Sequence, residues 1–323
     1  MKITRCPKTS FIVLILVVFS LINSLAFAEN SPAKVTLGTA TKGGGFQLYG
    51  ANLIDVINQV EPHIKLEEVP TKGSKQNLPF LEDAKIDIGL VEGNAARQAL
   101  DGVGREKANL KVLSVMYPNA GMFVVRADSD YHSIDDLKGK PIAFGTQASG
   151  LRILVNDVLD GLGLNPEKDF EQVILSKAAD GPKLVLNKQV ESLWGAGIGW
   201  PGFVKISNSP AGSRFIAPTD SEITRILAKH PHLTRMTVPA ETYKGQTEAI
   251  ESVGLWSLIL VNPDVSDDVV YLLARAIHKG HHALSERLQQ GSFTRAENTV
   301  KHVPVERLHP GALRFYREVG LIK

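Results

Sequence analysis

The sequence predicts an α/β protein in which two α/β lobes are joined by a hinge and enclose a ligand cleft. Short apolar strands alternate with amphipathic helices, and this β-α-β order is typical of mostly parallel sheets with right-handed crossovers. The alternation begins near residue 35 and starts again near residue 122, which indicates two such units. At 323 residues the chain is long enough for two domains.

The first unit opens with a strand at Val35–Leu37. Apolar residues from Phe46 to Val60 recur every three or four positions, which predicts an amphipathic helix. A second strand is predicted at 64–69 and a short helix at 76–84. Apolar and polar residues alternate over 86–91, which predicts a third strand.

The second unit repeats this alternation. A helix with one apolar face is predicted at 151–159, and a long helix begins at Ser266, where Asp267 and Asp268 suit a helix N-terminus. A short helix at 310–319 closes the chain. The predicted strands are 122–125, 142–144, 173–175, 190–194, 214–216 and 255–261.

These elements predict the division into lobes. The first lobe comprises residues 29–119 together with 263–323, so that the C-terminal tail packs back on it, and the second lobe comprises 120–262. The chain then crosses twice between lobes, near 120–126 and 258–263. Because no Pro/Ser-rich linker separates the units, we expect these crossings to form a hinge.

Residues 1–28 are predicted to be a signal peptide. Three basic residues precede an uncharged apolar run at 11–22, and Ala26-Phe27-Ala28 fits a small-residue cleavage site. The alternative is a membrane anchor, which needs about 20 apolar residues. We therefore expect cleavage after Ala28 and a periplasmic protein.

Composition excludes several classes of protein. Hydrophobic residues make up 43% and charged residues 22% of the chain, as in soluble globular proteins. The formal net charge of +2 becomes −1 without the three signal-peptide cations, so nucleic acid is not an expected partner. The only cysteine is Cys6, so the mature chain has no disulfide and no thiol nucleophile.

Two glycine-rich loops, one in each unit, are candidate binding sites. Gly38–Gly45 and Gly145–Gly150 each follow a strand and lead into a helix. Backbone N–H groups at a helix N-terminus favour an anion or carboxylate, and Lys42 and Arg152 would add positive charge. The alternative is that the glycines only form tight turns.

Four further residues follow strand ends or begin helices. Ser74 and Asn77 lie in a polar turn, where Ser74 could instead cap a helix. Glu92 comes directly after a strand. Trp200 lies in GIGWPG, which we interpret as a cleft-lining turn with the ring as a ligand platform; the alternative is a core tryptophan. This G-x-G-x-x-G is not a dinucleotide site, because Pro201 stands where the helix should begin.

Enzymatic chemistry is not expected. The sequence has no G-x-S-x-G elbow and no strong paired-carboxylate or triad signature, and no cofactor motif. His278, His281 and His282 have helical spacings that a metal could use, but without an HExxH frame we interpret them as a solvated helix face. No metal site is predicted.

Four motifs carry a family resemblance in sequence order: LGTATKGGGFQLYG, TKGSKQNLPFLEDAKIDIGLVEGN, VVRADSDYHSIDDLKGKPIAFGTQASGLR and RLHPGALRFYREVG. In these four motifs the mature chain resembles the TAXI-type solute receptors of tripartite ATP-independent periplasmic (TRAP) transporters. The resemblance implies a type II periplasmic-binding-protein fold. It also implies capture of a small carboxylate-bearing metabolite and its delivery to an ion-coupled membrane permease. We expect a monomer.

The resemblance also implies which residues contact the ligand: Thr39, Lys42, Gly44, Gly45, Phe46 and Tyr49; Gly73, Ser74 and Asn77; Ser149, Gly150 and Arg152. The chain departs from the family pattern at Lys42 and Phe46, at Glu92, where glutamine is usual, and at GIGWPG. Two other interpretations stay open. One is the binding protein of an ATP-driven importer of sulfonates or pyrimidine precursors, and the other is a periplasmic ligand-sensing protein.

Overall fold

The computed structural model describes residues 31–323, so the predicted signal peptide and Cys6 lie outside the described residues. Within that range no helix combines the length and the apolar character needed to cross a membrane. The strands are β1 Ala33–Gly38, β2 Ile64–Val69, β3 Ile88–Val91, β4 Lys111–Pro118, β5 Gly121–Arg126, β6 Pro141–Thr146, β7 Glu171–Leu175, β8 Ser192–Ala196, β9 Ser213–Ile216, β10 Thr234–Val238, β11 Ile250–Gly254 and β12 Trp256–Val261. The α-helices are α1 Gly45–Val60, α2 Ser74–Glu82, α3 Gly93–Asp101, α4 Leu151–Gly161, α5 Gly181–Leu186, α6 Pro201–Ser207, α7 Asp220–Lys229, α8 Asp267–Arg287, α9 Ala296–His302 and α10 Pro310–Glu318.

Two five-stranded sheets form the two lobes. The first has the order β2-β1-β3-β12-β4 and the second β7-β6-β8-β5-β9. β1 is parallel to β2 and β3, and β6 is parallel to β7 and β8. β12 and β5 are antiparallel to both of their neighbours. Each of these two strands is the first that the chain forms after it crosses between the lobes, so each sheet receives one reversed strand at its crossing.

The C-terminal helices share the core of the first sheet. Leu37 of β1, Ile277 of α8 and Phe315 of α10 belong to one buried apolar cluster. The hydroxyl of Tyr316 donates to the carbonyl of Leu113 in β4 at 2.8 Å. The second sheet has an apolar cluster on each face, and Met122 and Phe123 lie in different clusters, because successive side chains of a strand point to opposite faces.

The second chain crossing differs from the prediction. Residues 255–261 do not form one strand of the second lobe, because Leu255 is the connection and β12 pairs with β3 and β4 of the first sheet. A largely apolar run fits the interior of either sheet, so the run alone gives no sign of which sheet it joins. The remaining lobe boundaries stay a prediction.

The two crossings lie directly against each other. The backbone N–H of Asn119 donates to the carbonyl of Leu255 at 3.0 Å, and the amide of Asn119 donates to Ser257 Oγ at 2.6 Å. A Cβ added at Gly254 would lie 1.7 Å from the carbonyl oxygen of Asn119. Only glycine therefore fits at this position, and the two crossings are held together as one narrow junction.

Candidate functional site

A cleft between the two sheets collects side chains from both lobes. It lies beyond the ends of β1, β3, β6 and β8. The volume of the cleft is about 690 Å³, part of which is open to solvent. Eight of the predicted site residues line this cleft: Gly44, Gly45, Phe46, Ser74, Glu92, Ser149, Gly150 and Trp200. The structure thus brings the two glycine loops, the polar turn and the tryptophan together.

Two predicted residues of the first loop lie behind the lining. Thr39 is buried, and its hydroxyl donates to Glu68 Oε1 at 2.7 Å. Tyr49 is fully buried, its hydroxyl lies 2.9 Å from Thr294 Oγ1, and burial raises the pKa of Tyr49 far above its usual value. Both side chains support the loop from inside the first lobe and do not face the cleft.

Asn77 stabilises the fold and does not line the cleft. Its side-chain amide donates to the carbonyls of Gly38, Thr39 and Leu90 at 3.2, 2.9 and 2.8 Å. These carbonyls close β1 and β3, so the amide ties the ends of two parallel strands together. Gly73, at the start of the same turn, lies under the second lobe, where an added Cβ would be 3.3 Å from the carbonyl oxygen of Ala148.

Glu92 is a buried acid at the cleft. Its carboxylate accepts from the backbone N–H groups of Asn94 and Ala95 at 3.0 and 3.3 Å, and from the side-chain amide of Asn94 at 3.1 Å. It therefore caps the N-terminus of α3, as a carboxylate favourably does. Burial outweighs these hydrogen bonds and raises the pKa of Glu92 from 4.5 to about 7.

Three other helices begin at the cleft without a side-chain cap. The N-cap residues of α1, α2 and α4 are Gly44, Gly73 and Gly150. At α2 and α4 some of the first N–H groups already have partners: Lys75 N–H donates to the carbonyl of Ala148, and Leu151 N–H donates to Ser149 Oγ. The start of α1 also lines the cleft, through Gly44 and Gly45.

The same glycines form the contact between the lobes. A Cβ at Gly150 would lie 2.5 Å from the Cβ of Glu92, and one at Gly45 would lie 2.9 Å from Trp200 Cδ1. Backbone hydrogen bonds also cross the boundary: Ala179 N–H donates to the carbonyl of Lys42 at 3.3 Å. The lobes are therefore closed on each other, and glycine is what allows the close approach.

The two predicted cations do not line the cleft. Lys42 is exposed. Arg152 is half-buried beside the cleft, where its Nη2 lies 3.4 Å from Gln172 Oε1, while its Nη1 is buried and has no partner within residues 31–323. Burial lowers the pKa of Arg152, and burial together with the nearby charge of Arg152 lowers the pKa of Lys75. Two cations thus face each other across the lobe boundary.

Aromatic side chains form the apolar walls of the cleft. Only some of them were predicted from the sequence. Trp200 lines the cleft and also packs edge to face on Phe203 at 4.9 Å between centroids, so it has both of the roles considered for it. Tyr117, Phe144 and Trp194 were missed. They lie within apolar strands, where sequence alone does not separate core positions from cleft positions.

The histidines on α8 are not all solvated as predicted. His282 is exposed beside Glu286, but the ring of His281 is partly buried and its Nε2 accepts from Arg295 Nε at 2.9 Å. Gly280 lets this face of the helix approach α1, since a Cβ there would lie 2.3 Å from Val56 Cγ1. Gly280 and His281 of α8 therefore pack against other parts of the chain.

Comparison with known proteins gives one family and a set of distant structural neighbours. Residues 37–320 match the profile of the NMT1-like family. The binding-protein component of an ABC phosphonate transporter from Pseudomonas aeruginosa superposes with a TM-score of 0.53 at 15% identity, over 82% of this chain and 81% of its own. The alkanesulfonate-binding protein SsuA from Xanthomonas axonopodis pv. citri, bound to MOPS, has a TM-score of 0.50 at 19% identity, over 85% of both chains.

The same fold occurs in a protein of a different kind. A hydrogen-peroxide-bound mutant of OxyR from Corynebacterium glutamicum superposes with a TM-score of 0.50 at 13% identity, over 88% of this chain and 80% of its own. At such identities the likeness is one of fold alone, so the predicted two-lobe binding-protein fold is confirmed while the ligand is not identified.

Proposed function

We propose, from the membership of this chain in the NMT1-like family, that it is a periplasmic solute-binding receptor and not an enzyme. The observation that carries the proposal is the cleft, which is lined by both lobes and closed by glycine contacts between them. A ligand bound there would contact both lobes at once and would favour the closed state over an open one.

The proposed ligand is a small molecule with an apolar body and an anionic head group. The aromatic walls suit the apolar body. The uncapped start of α1 offers free N–H groups to an anion, and the unpartnered Nη1 of Arg152 and its neighbour Lys75 lie beside the cleft with no carboxylate bonded to either within residues 31–323. Arg152 does not itself line the cleft but directly follows the lining residue Leu151, and through its unpartnered Nη1 it remains the proposed anion anchor.

The proposal extends to the chemical class of the head group and to the kind of transporter that the protein serves. The two binding-protein neighbours bind an alkanesulfonate and serve a phosphonate ABC transporter, which favours an ATP-driven importer over the ion-coupled TRAP permease. Uptake into vesicles that contain the cognate permease separates the two: the importer needs ATP, whereas a TRAP permease needs an ion gradient. A sensing protein would bind its ligand without supporting uptake in either case.

Ligand binding is tested with a matched panel on the mature chain from Glu29. Sulfonates, phosphonates and carboxylates that share one apolar body are compared with the corresponding alcohol and amine, by thermal shift and calorimetric titration. We expect only anions to raise the melting temperature, because a ligand that binds the folded state alone stabilises it. Equal binding of the alcohol would contradict the anionic class, and failure of every compound to bind would argue against a receptor for this class.

Arg152→Ala tests the anchor within that panel. We expect binding of the best anion to weaken by about 2 kcal/mol or more, the range for losing a charged partner, with the melting temperature of the free protein unchanged. Arg225→Ala on α7 is the matched control, since that side chain is 59% exposed. Wild-type affinity in Arg152→Ala would leave the N–H groups of α1 as the anion site.

A further inference from the structure

A second cluster of ligand-type side chains lies away from the cleft, in a groove between α3 and the second lobe. It consists of Asp157 on α4 with His230 and His232, which flank Pro231 between α7 and β10. One carboxylate oxygen and one ring nitrogen from each histidine all lie within 4.8 Å of one another. The side chains are only 22%, 16% and 17% exposed, so this is a partly enclosed site and not a loose surface cluster.

The distances suit a shared transition-metal ion. His232 Nε2 lies 3.0 Å from Asp157 Oδ2, and His230 Nδ1 lies 3.7 Å from Asp157 Oδ1. A tetrahedral zinc ion with bonds of about 2.0–2.1 Å separates its ligand atoms by about 3.3–3.4 Å. These two distances are to different oxygens of Asp157, but one carboxylate oxygen lies within 4.8 Å of both ring nitrogens. Side-chain rotations would bring these three atoms into the ion's coordination sphere.

The outer contacts are those of a metal-binding histidine. His230 Nε2 lies 2.8 Å from Asp160 Oδ2, one turn further along α4. When a histidine donates one ring N–H to a carboxylate, its other nitrogen keeps the lone pair that a metal needs. That other nitrogen is Nδ1, the atom that faces Asp157. Lys229 Nζ donates to Asp160 Oδ1 at 2.8 Å, so the charge of Asp160 is already balanced and Asp157 supplies the carboxylate for the ion.

We propose that Asp157, His230 and His232 bind a divalent transition-metal ion, of which Zn²⁺ is the best match. Two imidazole nitrogens and one carboxylate oxygen are the donors that zinc and related ions prefer, whereas Mg²⁺ and Ca²⁺ prefer oxygen ligands alone. The groove is also lined by Asn94, Arg97 and Gln98 of α3. The groove thus has one wall from each lobe, and the ion would lie at the lobe boundary.

The test is a titration of the untagged mature chain with Co²⁺ and Zn²⁺. Co²⁺ reports its coordination through visible absorption, and calorimetry gives the Zn²⁺ affinity. We expect one ion per chain. His232→Ala and the nearly isosteric Asp157→Asn should weaken Zn²⁺ binding by more than the roughly 10- to 100-fold cost of losing an outer-shell partner. Asp160→Asn should weaken it within that range.

His282→Ala is the matched control, because His282 is an 84% exposed histidine beside Glu286 on α8. It should leave the Zn²⁺ affinity unchanged. Melting curves recorded in chelator check that every variant is folded before titration, and Asp157→Asn keeps the test valid if a histidine variant does not fold. Absence of a one-to-one complex in the wild type would overturn the proposal. So would wild-type affinity in His232→Ala and Asp157→Asn, or an equal loss in His282→Ala.

Discussion

Replacing Glu92 by glutamine should change how the stability of the protein depends on pH. The pKa of Glu92 is raised from 4.5 to about 7, chiefly by burial. The folded state therefore holds this proton more tightly than the unfolded chain does. The contribution of Glu92 to the free energy of unfolding is fully present below pH about 4.5, and it is lost as the pH rises through about 7.

The size of the change in the free energy of unfolding follows from the pKa shift of Glu92. Each pKa unit corresponds to about 1.4 kcal/mol, so the rise from 4.5 to about 7 amounts to about 3 kcal/mol. Glutamine does not titrate, so Glu92→Gln should gain about 3 kcal/mol relative to the wild type between pH 4.5 and pH 8. The site can accept the amide: its oxygen can accept from the N–H of Asn94. Its nitrogen can donate to Asn94 Oδ1 after the Asn94 side-chain amide turns by about 180°, because in the wild type Asn94 Nδ2 is the atom that faces Glu92.

Urea unfolding of both proteins at pH 4.5, 6 and 8 measures this difference. Glu67→Gln is the control, because it makes the same replacement at a side chain that is exposed on β2. A difference between Glu92→Gln and wild type that stays within about 1 kcal/mol from pH 4.5 to pH 8 would refute the reasoning. It would mean that water reaches Glu92, as it would in an open arrangement of the lobes.

Two further predictions concern closure and the strand ends. Gly150→Ala should keep the lobes apart, since its Cβ would lie 2.5 Å from the Cβ of Glu92; small-angle scattering should show a larger radius of gyration than wild type, and an unchanged radius would contradict this. Asn77→Ala removes the two side-chain N–H groups that are shared among three carbonyls at the ends of β1 and β3; urea unfolding should show a loss of about 2 kcal/mol, and a loss below about 1 kcal/mol would argue against the structural role.

The helices and strands that the sequence predicted well have a regular spacing of apolar residues. The apolar stripe of α1 and the alternation before Val91 both depend on local geometry alone. Several of the missed elements give a weaker signal in the sequence for other reasons. α3 is short and built on small residues, GNAARQALD, and β4 is an almost continuous apolar run, KVLSVMYP. Strands β10 and β11, which pair antiparallel, were also missed. β10 is largely exposed, and both strands lie beyond the repeated α/β pattern.

The sequence indicated cleft positions where they depend on the backbone but not where they depend on side-chain direction, and ligand contact by these residues stays a prediction. Glycines between a strand and a helix mark loops at sheet ends, and Gly44, Gly45 and Gly150 do line the cleft. Whether Arg152 faces the cleft depends on how α4 packs against Gln172 and Lys75, which its position in the first helical turn does not determine. Tyr117 lies next to the last residue of β4 and lines the cleft.

The glycine loops explain why ligand binding and closure belong together in this molecule. At Gly44 and Gly150 the absence of a side chain has two effects: it leaves the helix start without a side-chain cap, and it lets the opposite lobe come into contact. An anion at the start of α1 would then be enclosed by the approach of the second lobe, and water would be excluded around it. Because charge interactions strengthen as water leaves, closure would tighten the hold on the anion, and the anion would in turn stabilise closure.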